Sequence, residues 1–264
     1  WSPFNLLLSA VSFYPFLVNI YLSETLRKAV NSELESEKYD LIHAETFYVM
    51  TNISQNSLPT ILVEQTIEYL VYQHYTKSFR FLPLRPFLNI DVLKLKYWER
   101  YFWKKAGKVV AVSEADKKEM LELEPDLDVD LVPNGVDLDF FIPKKSWSDP
   151  DPKILFVSNF KWLQNVEAAR YLVTEVYPRV AREIPESQLW IVGQHPPKSI
   201  TDLQSRNVKI DSLDEKDVET IRKVYNQASV FVSPMKGPGG TRLKNLAAMA
   251  SKLPIVTTTI GAEG

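Results

Sequence analysis

The residue types best suited to chemistry are concentrated in one stretch, GPGGTRLKNLAAMA, from Gly237 to Ala250. Glycines let backbone N–H groups approach a ligand closely. Arg242 and Lys244 add two positive charges where the pattern predicts a helix beginning near Thr241, and the amino end of a helix is itself electropositive. Such a set suits an anion, with phosphate or pyrophosphate the natural guest. The spacing is neither the Gly-Lys-Ser/Thr phosphate loop nor the Gly-x-Gly-x-x-Gly dinucleotide fingerprint. A plain Gly/Pro turn followed by a solvated basic helix start has the same local pattern, so the stretch alone does not decide between the two.

Composition removes other chemistries. The 264 residues include no cysteine, which excludes disulfides and thiolate metal sites. His43, His74 and His195 stand far apart, without metal-ligand spacing. Asp-x-Asp occurs at Asp126–Asp128, Asp128–Asp130, Asp137–Asp139 and Asp149–Asp151, but in an acidic turn region and a linker, where solvated charge is the ordinary state. No metal and no cofactor is expected. A net charge of −2 gives no drive toward nucleic acid.

The elements that must position these residues alternate along the chain. Strands are predicted at 39–43, 60–64, 108–112, 129–133, 153–158, 188–193, 207–210, 229–233 and 254–258. Most are continuously apolar, as strands covered on both faces are. Between them lie helical patterns. Val166, Ala169, Val173, Val176 and Val180 recur at helical spacing over 165–183, with Asn165 expected to cap that helix. Ser113 to Asp116 resembles a capping box. The order predicts parallel sheets with right-handed crossovers. A Pro- and charge-rich segment at 143–152 reads as a linker between two α/β units, 1–142 and 153–264. In a doubly wound sheet the first and fourth strands of the second unit are neighbours, and ligands bind beyond their carboxyl ends. There the loops 158–165 and 233–244 offer Lys161, Lys236, Arg242 and Lys244.

Two segments invite a membrane reading. The apolar run from Phe4 to Leu22 carries Asn5, Pro15 and Asn19 and lacks a basic flank, so a buried helical hairpin suits it better than an anchor. From Lys77 to Lys108, nine Lys/Arg stand against Asp91 and Glu99, interleaved with Phe, Tyr and Trp. This stretch suits a lipid surface or a charged acceptor, or else an amphipathic helix with snorkelling basic side chains.

Several stretches together carry a family likeness: VVAVSEADKKEM, LVPNGVDLDFF, ILFVSNFKWLQNVEAARYLVTEVYPRV, QLWIVGQHPP and GPGGTRLKNLAAMASKLPIVTTTIGAEG. In order and spacing they resemble family 4 (group 1) glycosyltransferases of the bacterial Gly-Thr-Arg-Leu-Lys type, over about Ser12 to Gly264. The resemblance implies the GT-B fold, two Rossmann-like parallel-sheet domains facing across a cleft, with the acceptor on the first and the donor on the second. It implies retaining transfer of a sugar from a nucleotide-diphosphate sugar to an acceptor hydroxyl, in cell-envelope polysaccharide or glycolipid synthesis. The acceptor would be a saccharide or lipid-linked molecule, and the location cytoplasmic, at or near the inner face of the membrane.

Residue by residue, the resemblance places the donor diphosphate near Gly239, Gly240, Thr241, Arg242, Lys244, Lys161 and Asn159, and the donor sugar or ribose near Ala247 and Glu263. Gln65 and His43 fall at the catalytic positions of the first domain. The departures from the family are specific. Glutamates often found in the family are Gly239 and Ala247 here. A family histidine is Gln65, which orients a hydroxyl but does no acid–base work near neutral pH. An Arg and a Lys after the first donor-domain strand fall at Asn159 and Gln164. A non-catalytic nucleotide- or sugar-phosphate-binding module of the same fold is the alternative; an epimerase would want cleft carboxylates that this pattern lacks. The likeness begins partway through the first domain and stops before the end of the second. The chain therefore reads as a piece of a larger protein, aggregation-prone and inactive alone.

Overall fold

Each predicted strand forms, with bounds shifted by at most a few residues. The structure, a computed structural model, describes residue 9 and residues 12–36, 38–79, 81–143, 151–214 and 217–264. Most of the expected linker, 144–150 including Asp149, and much of the amino-terminal apolar run lie outside the described residues. Two compact units divide the chain: 1–133 with 238–241 and 264, and 134–237 with 242–263. Val136 and Phe141, ahead of the expected linker, pack against the core of the second unit.

The first unit holds four parallel strands in the order β1 (Ile42–Glu45), β2 (Thr60–Glu64), β3 (Lys108–Ala111) and β4 (Val129–Leu131). Its helices are α1 (Phe16–Tyr21), α2 (Glu24–Ser36), α3 (Glu68–Ser78), α4 (Arg85–Lys105) and α5 (Glu114–Leu123). The capping box forms: Ser113 Oγ accepts from the Asp116 amide at 3.0 Å and opens α5. The core gathers Leu62, Phe47, Leu95, Phe102, Trp103 and Met120. Among the described residues no helix is long and apolar enough to cross a membrane.

The second unit holds β5 (Lys153–Asn159), β6 (Gln188–Gln194), β7 (Val208–Ser212), β8 (Val230–Ser233) and β9 (Ile255–Thr257), all parallel, in the order β7-β6-β5-β8-β9. The continuous apolar runs are explained by burial on both faces. In β5, Ile154 and Phe156 enter one core and Leu155 and Val157 the other. The chain reverses direction across the sheet between β5 and β8, so the two loops expected to carry the site leave from adjacent strands.

The helix expected over 165–183 differs in detail. It starts at Leu163 as α6 (Leu163–Tyr171), runs through a π-helical segment over Leu172–Val176, and ends as α7 (Tyr177–Glu183). Pro178 has no N–H to donate, which suits the widened turn ahead of it. The apolar stripe packs inward as its spacing required, with Ala169 buried and Val166, Val173, Val176 and Val180 against the same core. Asn165 does not cap this helix. It lies inside the first turn, and its side chain is committed elsewhere. Beyond α6 and α7, the unit adds α8 (Lys198–Thr201), α9 (Val218–Gln227) and α10 (Leu243–Ala250).

Candidate functional site

In the second unit the carboxyl ends of β5 and β8 and the amino end of α10 are tied together by one side chain. Lys244, in the first turn of α10, donates from Nζ to Ser158 Oγ and to Asn165 Oδ1, both at 2.8 Å. Met235 Sδ lies 3.7 Å from the same nitrogen, and the Phe156 ring centroid 4.9 Å. Enclosure of the ammonium disfavours its charged form, and the positive charge of Arg242 adds to this, lowering its pKa to about 7. Arg242 itself is buried and donates from Nη2 to the Gly237 carbonyl at 2.7 Å.

The network continues from Asn165. Its Nδ2 donates to the Asn159 carbonyl at 2.7 Å. Asn159 Nδ2 donates to Gln194 Oε1 at 3.0 Å, and Asn159 Oδ1 accepts from the Lys161 amide at 3.0 Å. The ends of β5 and β6 and the 159–163 turn are therefore one hydrogen-bonded assembly. Gly193 makes it possible: a Cβ there would stand 1.8 Å from the Ser158 carbonyl oxygen. Asn245, one residue beyond Lys244, donates from Nδ2 to the Gly261 carbonyl at 2.7 Å and fixes the loop after β9.

Several expected donor residues thus come together: Asn159, Lys161 by its backbone, Arg242 and Lys244. Lys161 is exposed, Lys236 lies 3.5 Å over the Tyr171 ring, and Glu263 is exposed in the loop after β9. Ala247 is 5% exposed and belongs to the core cluster that also holds Leu155, Val192 and Phe231, so its side chain adds to the core. Ser158 and Gln194, at the ends of β5 and β6, were not singled out from the sequence, and Asn165 was read only as a helix cap.

The first unit has its own polar group at the carboxyl ends of β1 and β2. His43 Nε2 is 3.0 Å from Glu45 Oε1, and Gln65 Nε2 donates to Glu45 Oε2 at 2.9 Å. Glu45, two residues beyond His43, is the link between the two expected catalytic positions. All three side chains are exposed. Thr46, the next residue, has φ of 69°, a conformation a β-branched residue rarely adopts. Gly239, Gly240 and Thr241 cluster with this unit. A Cβ on Gly240 would lie 2.1 Å from the Gln65 carbonyl oxygen, and Thr241 Oγ1 donates to the Val112 carbonyl at 2.9 Å.

Beneath these residues three carboxyl groups are enclosed. Glu99 accepts from the amides of Glu68 and Tyr69 at 2.7 and 3.1 Å and so caps α3, and Glu64 accepts from Trp103 Nε1 at 3.0 Å. Burial raises all three, Glu68 to about 7, and their mutual repulsion raises Glu64 and Glu99 further. Among the described residues no group of three or more His, Cys, Asp or Glu is placed to hold a metal ion.

The family model described as Glycosyltransferase Family 4 matches residues 6–140, and the model described as Glycosyl transferases group 1 matches residues 151–264. The chain belongs to glycosyltransferase family 4. Solved structures agree on the fold, which is GT-B. Sucrose-phosphate synthase from Thermosynechococcus elongatus superposes with a TM-score of 0.67 at 18% identity, over 93% of this chain and 61% of that one. HepE from Anabaena, solved in complex with UDP and glucose, gives 0.62 at 15% identity, over 90% and 63%. A Klebsiella pneumoniae protein described as an uncharacterized 44.6 kDa protein in a cps region is 28% identical over 117 residues, 42% of this chain and 30% of that protein. The family 4 chain spans about three fifths of the length of the two solved structures.

Proposed function

We propose that the protein is a retaining glycosyltransferase that moves a sugar from a nucleoside-diphosphate sugar to an acceptor hydroxyl, in assembly of an envelope polysaccharide or glycolipid. The observation that carries this is the Lys244 assembly: in a family 4 chain, two basic residues and a helix amino end stand at the carboxyl ends of adjacent parallel strands. Loss of the nucleoside diphosphate breaks the bond between the anomeric carbon and phosphate oxygen and leaves negative charge on that oxygen. Arg242, Lys244 and the α10 amides are the groups that stabilise it. The acceptor oxygen forms the new bond on the face the leaving group vacates, and its proton passes to the departing phosphate. Lys244 acts through its charge and through the 158–165 loop it holds. The place of the Klebsiella relative in a cps region is in keeping with an envelope role.

One observation favours a second function, a module that binds the nucleotide without transfer. Ala247 is enclosed by apolar side chains and offers no carboxylate to a donor. Incubation with a panel of nucleotide sugars and with saccharide and lipid-linked acceptors, read by nucleotide release, separates the two. Acceptor-dependent release is expected. Binding of nucleoside diphosphates with no turnover across a broad panel would assign the binding module instead.

A further inference from the structure

The geometry points to the outer face of α4 as a docking surface for an anionic lipid bilayer. Phe87, Ile90, Leu93, Tyr97 and Tyr101 recur along this 21-residue helix at helical spacing, and all are exposed, Phe87 and Leu93 each at 67%. The chain leading into the helix continues the patch: Phe79, Phe81, Leu82 and Leu84 are exposed too. Phe13, 68% exposed, packs edge-on against Tyr97 with ring centroids 5.6 Å apart. Apolar exposure on this scale marks an interaction site.

Charge identifies the occupant. Both acids of α4 are turned inward: Asp91 Oδ1 accepts from the Phe16 amide at 2.9 Å, and Glu99 is fully buried capping α3. The exposed charges of the helix are Lys104 and Lys105 at its carboxyl end, Lys104 lying 3.2 Å from the mostly buried Glu124 carboxylate. At its amino end Arg85 donates to the Lys77 carbonyl at 2.9 Å, which brings a second basic pair to the patch. An apolar stripe about 20 Å long on the helix, basic at both ends and without an exposed acid, matches an anionic interface. Apolar tips enter the acyl boundary, tyrosines sit at the headgroup level, and Lys/Arg meet the lipid phosphates. A second copy packed head to tail would set Lys104 and Lys105 against Lys77 and Arg85, positive on positive. This surface lies within the first unit and does not depend on the transfer chemistry.

The test is co-sedimentation of the protein with phosphatidylcholine vesicles, with and without phosphatidylglycerol. Binding to the anionic vesicles is expected, weakened by salt. The variant Phe87→Ser/Ile90→Ser/Leu93→Ser should lose at least about tenfold in vesicle affinity, and Lys104→Glu/Lys105→Glu should lose binding to the anionic vesicles selectively. Phe87→Ser alone, at an exposed position, serves as the second variant should the triple change disturb folding. Equal pelleting with and without vesicles would overturn the proposal. So would unchanged vesicle affinity of a folded triple variant, or a self-associated protein that the triple variant returns to monomer without any vesicle binding by either form.

Discussion

Lys244 Nζ and Asn165 Oδ1 are 2.8 Å apart, and this bond joins the first turn of α10 to the first turn of α6 across the carboxyl end of β5. A basic residue expected to meet a ligand directly has its donors engaged by the protein. An asparagine expected to cap the start of a helix supplies one of the acceptors. The consequence is that the proposed anion site depends on a side chain whose main contacts are internal.

Lys244→Met keeps much of the stem's volume and removes the charge. It leaves Ser158 and Asn165 without their donor and frees the 158–165 loop from α10. Two charge-assisted bonds and one cation are lost, so nucleoside-diphosphate affinity should fall about tenfold to a hundredfold, read by calorimetric titration. Arg242→Ala combined with Lys244→Ala should abolish binding. Unchanged affinity in the double variant would move the site elsewhere.

Binding should also depend on pH. The Lys244 ammonium has a pKa of about 7 in the free protein, and a diphosphate beside it raises that value. Binding then takes up a proton. Affinity should be flat below about pH 7 and fall as pH climbs from there toward the higher bound-state value. Arg242 is the charged neighbour that contributes to the shift, and it keeps its charge throughout this range. In Lys244→Met the slope between about pH 7 and 8 should disappear; a slope that survives would belong to another group or to the ligand's own phosphate.

Gly193 has one narrow requirement. A Cβ at this position would sit 1.8 Å from the Ser158 carbonyl oxygen and 2.9 Å from the Phe160 ring. The first of these is backbone, which gives way only if β5 and β6 separate. Gly193→Ala should lower stability by about 2–3 kcal/mol, measured by denaturant melts. Because Ser158 carries one end of the Lys244 assembly, diphosphate affinity should drop in parallel.

The architecture was legible because parallel strands buried on both faces leave an unmistakable apolar run. The alternation of Ile154 and Phe156 with Leu155 and Val157 between two cores is its structural counterpart. The glycine and basic cluster at 237–244 stood out by residue type, but a plain turn before a basic helix start has the same pattern, and Arg242 and Lys244 are bonded to internal partners. Those partners were not legible. Ser158, Asn165 and Gln194 are ordinary polar residues whose role arises from which strand ends the crossovers bring side by side. Asn165 misled because a polar residue at a helix start has the same signature whether it caps the helix or reaches across to a lysine. Glu68 was invisible for a related reason, since the burial that raises it to about 7 comes from the packing of other elements.

Ala247→Glu tests whether a carboxylate can be restored on α10. The side chain is 5% exposed and lies in the core cluster with Leu155, Val192 and Phe231. A glutamate there is desolvated and overpacked, so the variant should lose about 2–4 kcal/mol, and a fall in melting temperature should accompany no gain in turnover. A variant of wild-type stability with faster transfer would mean that the position opens toward the donor.

Glu68 makes stability pH-dependent with a definite sign. Its carboxyl has a raised pKa, about 7 in the folded protein against 4.5 ordinarily, because burial disfavours the charged form. The folded state therefore holds its proton through a range in which the unfolded chain releases it. Stability from this group is fully present below about pH 4.5 and is lost as pH rises through about 7. Glu64 and Glu99, also raised, act in the same direction. Glu68→Gln removes the titrating group while keeping its shape, so it should stabilise the protein at about pH 8 by up to about 3 kcal/mol and have little effect at about pH 4. Thermal melts of both proteins across that range give the answer: two curves that run parallel at every pH would show that Glu68 ionises in the folded protein as it does in the unfolded chain.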